Sequence, residues 1–153
     1  MELDREKQRR VWDRVRGDGE QMPQLRRMGL GELMWILREN AGAYRTLAKR
    51  FPGREGEILQ RLHQECRQNI ICLRGLCALT GEDRKGLPGE PPKESLRRSL
   101  EKCYFREKHL CEEFSARAAD PEYGIVMARL ARQTGDRCVA VLEILGESGT
   151  QHK

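Results

Sequence analysis

Five residues carry the chemistry that this sequence offers: Asn40, Asn69, Glu107, Thr134 and Arg137. Each falls in the middle of a stripe of apolar residues spaced three and four apart, where a buried polar side chain must find a partner. Leaving one unpaired costs on the order of 1 to 3 kcal/mol. A carboxylate and a guanidinium brought together in such a place form an ion pair, because either charge alone would be far costlier. Two other uses of the same groups are a metal centre and a pocket in which Arg137 and Asn69 hold a small organic anion. Cys66 shares the position type, but burial in an apolar seam raises a thiol's pKa and blunts it, so it is expected to be an inert core cysteine. No catalytic residue is assigned.

The stripes belong to helices. One runs through Leu33, Leu37, Asn40, Tyr44, Leu47 and Phe51, and a second through Leu59, Leu62, Cys66, Asn69, Leu73 and Leu76. A third runs through Leu96, Leu100, Cys103, Glu107, Leu110 and Phe114, and a fourth through Tyr123, Met127, Leu130, Thr134, Arg137, Val141 and Ile144. Pro52-Gly53 separates the first helix (Gly31 to Phe51) from the second (Arg54 to Thr80). The segment GEDRKGLPGEPPK is a linker. The third helix is expected from Ser95 to Ala119, and Asp120-Pro121-Glu122 signals the start of a fourth that ends at Gly146.

The fold class is therefore all-α: an antiparallel four-helix bundle at residues 30–146. A short helical extension occupies 1–29, with Leu3, Val11, Trp12 and Val15 able to dock on the bundle or on a protein partner, and 147–153 form a flexible tail. About 14 linker residues reach roughly 46 Å when extended, against roughly 40 Å for a helix of about 27 residues, so a full-length crossover is feasible. A short up-down connection is the alternative. The spacing of Leu37, Asn40, Tyr44 and Ala48 repeats in Glu107, Leu110, Phe114 and Ala118. That of His63, Cys66, Asn69 and Leu73 repeats in Ala131, Thr134, Arg137 and Val141, so the chain reads as a duplicated helix pair.

The 153 residues suit one domain, and a 35% charged fraction with 5% aromatics fits helices with wide solvated faces. The net charge of +5 is spread among acidic residues, which argues against a nucleic-acid surface. No apolar run approaches a membrane span, and a cytoplasmic location is expected. The six cysteines include no CxxC pair and read as reduced thiols.

These motifs resemble the ferritin-like superfamily, in particular rubrerythrin-related proteins, whose halves read ExxAxxxYxxxA followed by a helix with AxxExxH. The segments NAGAYRTLA, LQRLHQECRQNIICLRGLCALTG and EKHLCEEFSARA carry the resemblance, which spans residues 30 to 146. In that family the Glu and His positions bind two irons. Here they are Leu37, Cys66, Asn69, Glu107, Thr134 and Arg137, and only Glu107 is of the expected type. One carboxylate cannot hold two irons, and Arg137 repels a cation. A shifted ligand set would be Glu39, Glu65, Gln68 and Glu107, although Glu39 and Glu65 fall off the seams. The rubredoxin-like CxxC pairs are missing.

Two functions follow from the resemblance. The first is a bundle without a working di-iron centre and without cofactor, acting as a scaffold or binding module and pairing as a homodimer through an exposed helix face. The second is a non-haem oxidoreductase using iron or manganese for peroxide or oxygen chemistry. The first expects a Glu107 to Arg137 contact, and the second at least three carboxylates around one ion.

Overall fold

A computed structural model describes residues 28–82, 89 and 93–151. The expected N-terminal helix at 1–29 and His152 thus lie essentially outside the described residues. Four helices are present, with no strand among the described residues: α1 (Leu30–Ala48), α2 (Gly53–Thr80), α3 (Leu96–Arg117) and α4 (Gly124–Gln151).

Local chemistry fixes their ends. Gly29 donates its amide to Glu32 at 3.2 Å, and Leu30 donates to Glu82 Oε1 at 3.1 Å. The second contact places a carboxylate from beyond the end of α2 on the positive end of α1. Gly81 ends α2 in the left-handed conformation, φ 75°, with its amide donating to Cys77 O at 2.8 Å, as a glycine C-cap does. Ser95 caps α3 by accepting from Arg98 N at 3.1 Å. Asp120 Oδ1 accepts from the amides of Glu122 at 2.7 Å and Tyr123 at 2.8 Å, forming the turn that precedes α4.

The start signal at Asp120 is therefore a turn, and the helix proper begins four residues later, at Gly124. At the other end α4 continues past Gly146 to Gln151. Gly146 lowers helix propensity without interrupting the backbone bonds, and no proline follows to stop it. The tail expected at 147–153 is thus helical for most of its length. α1 stops at Ala48, three residues short of the expected Phe51, because the chain must already turn toward Pro52.

α1 packs most extensively on α2, and α3 on α4; α1 also meets α3, and α2 meets α4. The cross-helix contacts descend in register. Arg117 of α3 reaches the carbonyl of Met28 just before α1, while Asn40 meets Cys103. Between α2 and α4, Asn69 meets Gln133 and Glu65 meets Arg137. Leu33, Leu37, Leu59, Leu73, Leu100, Leu110, Phe114 and Val141 are completely buried and line the space enclosed by all four helices. Burying a side chain of this size contributes about 1.5–3 kcal/mol. No helix among the described residues is long and apolar enough to cross a membrane.

Candidate functional site: a buried polar layer

The polar positions of the seams come together inside the bundle. Asn40, Glu107, Thr134 and Arg137 are each 0% exposed and Asn69 is 4% exposed. Helical spacing explains why: Thr134 and Arg137 are one turn apart on the inward face of α4, and Glu107 occupies the same face of α3.

Glu107 is the hub. Arg137 Nε lies 3.0 Å from both of its carboxylate oxygens and donates between them. Tyr44 Oη donates to Glu107 Oε2 at 2.7 Å, and the Cys66 thiol points at the same oxygen from 3.7 Å. Arg137 Nη2 donates to Thr134 Oγ1 at 3.2 Å, and that hydroxyl donates to Leu130 O at 2.6 Å. Arg137 Nη1 has no hydrogen-bond partner among the described residues, but Glu65 Oε1 lies 3.7 Å away at the half-buried rim. The layer thus holds one carboxylate and one guanidinium in direct contact, with a second carboxylate outside.

Electrostatics follow the same logic. Burial pushes the Tyr44 hydroxyl well up, and the Glu107 charge adds to it, so Tyr44 stays a neutral donor. Burial and then Glu107 also push the Cys66 thiol well up, with Arg137 only partly opposing them. Cys66 is accordingly a poor nucleophile. Burial is the largest single influence on Arg137 and by itself would lower its pKa; Glu107, Cys66 and Tyr44 together outweigh it, and the guanidinium stays charged. Cys103, buried on the same side, is pushed up to about 12, chiefly by burial.

The two asparagines serve the periphery of the layer. Asn40 donates to Cys103 O at 3.1 Å and accepts from Arg106 Nη1 at 3.4 Å. Asn69 donates to Gln133 Oε1 at 2.8 Å, leaving its own oxygen without a partner among the described residues.

The shifted ligand set behaves differently. Glu39 pairs with Arg106 at 3.4 Å, Glu65 pairs with Arg61 at 3.5 Å, and Gln68 is exposed. Among the described residues no group of three or more His, Cys, Asp or Glu side chains is placed to hold a metal ion. The donor set of the layer does not fit one either, since the neighbour of its one fully buried carboxylate is a guanidinium. His63 is occupied structurally: its Nδ1 lies 2.9 Å from Ala41 O and donates to it. His109 lies at the surface, with Nε2 3.1 Å from Met28 Sδ.

Sequence reasoning named Tyr44 only as a seam residue, although it contributes the shortest bond to Glu107. The signal was its position one turn after Asn40 on the inward face. Gln133 was not singled out, since nothing in its spacing distinguishes it from a surface residue.

Comparison with known proteins finds no matching family model, no matching curated protein and no matching solved structure.

Proposed function

We propose that this chain is a ferritin-like, antiparallel bundle of two related helix pairs whose central layer is closed by an ion pair, and that it acts as a metal-free scaffold or binding module. The observation that carries this reading is the Glu107 to Arg137 contact, at 3.0 Å with both side chains 0% exposed. A fixed positive charge at that point replaces a cation electrostatically, and the hydrogen bonds from Tyr44 and to Thr134 complete the replacement. The descending contacts between α1 and α3 and between α2 and α4 support an antiparallel arrangement with a crossover from α2 to α3. The matched spacings in the two halves support the duplication. With the layer filled, the working surfaces of the protein lie on the outside of the bundle.

Elemental analysis of protein purified from cells grown with added iron and manganese tests the proposal. The expected content is far below one metal per chain, and equal in the wild type and in Glu107→Gln. Stoichiometric iron or manganese that disappears in Glu107→Gln would instead establish an oxidoreductase-type centre.

A further inference from the structure

A concave feature of a different character lies outside the core. A cavity of about 580 Å³ lies over the outer side of α1, lined on that helix by Trp35, Arg38 and Arg45, on α2 by Arg67 and Arg74, and on α3 by Arg106. Its size falls within the range of roughly 300–1,000 Å³ typical of small-molecule sites.

Its charge is strongly one-sided. Five arginines line it against two carboxylates, Glu39 and Glu94. Both acids are already engaged: Glu39 with Arg106 at 3.4 Å, and Glu94 with Lys102, which is not on the cavity wall, at 2.8 Å. Arg45, Arg67 and Arg74 are exposed and form no ion pair among the described residues. Arg67 and Arg74 are seven residues apart on α2, which puts them on one face at a separation of roughly 10 Å along the axis. Guanidinium groups bind phosphate through paired N–H donors, and their grouping inside a concavity raises the local potential for an anion.

Trp35 adds a flat apolar wall, half-buried beside these cations. Separated cations, a bounded volume and one aromatic face match a small phosphorylated molecule carrying a ring. An extended nucleic acid needs a longer basic track, which the interleaved charge of the sequence does not supply.

We propose that this groove binds a nucleoside di- or triphosphate, with its phosphates on Arg67, Arg74 and Arg38 and its base against Trp35. No residue of the central layer takes part, so the metal assay above and the titration below fail or succeed separately.

The test is titration of ADP into the full chain carrying Trp12→Phe, read by calorimetry and by Trp35 fluorescence. Saturable binding of one ADP per chain is expected, with a change in Trp35 emission and weaker affinity at higher salt. The double variant Arg67→Ala/Arg74→Ala should bind about tenfold or more weakly, as expected for losing charge-assisted bonds. Arg132→Ala, an exposed change on α4, should leave affinity unchanged. Circular dichroism melts of each variant confirm that the fold is intact. Failure of ADP to saturate, equal weakening by Arg132→Ala, or displacement of ADP by an RNA oligomer whose stoichiometry scales with its length would each overturn the proposal.

Discussion

The two hairpins bring different chemistry to the same central layer. From α1 and α2 come neutral groups, Asn40, Tyr44, Cys66 and Asn69; from α3 and α4 come the charges of Glu107 and Arg137, with the Thr134 hydroxyl. Each neutral group gains or loses a hydrogen bond or two. The charges depend on each other, so loss of either strands its partner in the core. The turns differ in the same sense. Glycines at positive φ, Gly53 and Gly81, bracket α2, whereas the side chains of Ser95 and Asp120 start the elements of the second hairpin. The turns on either side of α2 thus rely on backbone freedom, whereas α3 and the turn before α4 rely on side-chain acceptors.

The largest expected effect comes from breaking the charge pair on one side only. Arg137→Leu should destabilise the protein by about 3–5 kcal/mol, because Glu107 remains buried with no counter-charge in direct contact. Adding Glu107→Leu should recover much of that loss, since replacing both charges by apolar groups is often close to neutral. Chemical denaturation of the two single variants and the double variant gives the coupling directly. Additive losses would show that the two charges do not depend on each other.

A smaller effect is expected from the neutral side. Tyr44→Phe removes one donor from Glu107 and keeps the ring in place, so a loss of about 1.5–3 kcal/mol is expected, as for a hydrogen bond to a charged group. The same substitution in the Glu107→Leu background should cost little. If Tyr44→Phe proves as costly as Arg137→Leu, the contrast between the hairpins fails, and the layer behaves as one indivisible network.

The fold was readable because the stripes of apolar residues are long and regular. The positions that they assigned inward, from Leu33 to Leu47 on α1 and from Leu100 to Phe114 on α3, are all buried, and Met34, Ala41, Ala43 and Glu113 between them are buried as well. The Glu107 to Arg137 contact was readable for the same reason: two opposite charges at matching depths of adjacent seams have no better partner. Boundaries were less legible. Asp120 looked like a helix cap because its carboxylate binds amides two and three residues on, which a capping residue and a turn residue both do. The arginine groove was not legible. Arg67 and Arg74 on α2, Arg38 and Arg45 on α1, and Arg106 on α3 are separate solvated residues until three helices set them around one concavity.

The gentlest way to sharpen the comparison is through pH at the turns. The amides of Tyr123 and Glu122 hold the exposed Asp120 carboxyl below its ordinary value of 3.8. A depressed folded-state pKa means that the fold favours the charged form. The resulting stability is present above about pH 4 and is lost as pH falls through the folded value. Asp120→Ala should therefore be less stable than the wild type at neutral pH, and the gap should close in strong acid. Gly81→Ala, at φ 75°, should lose about 1 kcal/mol at every pH, because its cost is steric and involves no titrating group. Denaturation midpoints for both variants across pH 2 to 7 separate the two behaviours, pH values chosen to span the carboxylate range. An Asp120→Ala gap that does not change with pH would mean that its oxygens cap the turn as a neutral acceptor would, and that the second hairpin owes nothing to charge at this end.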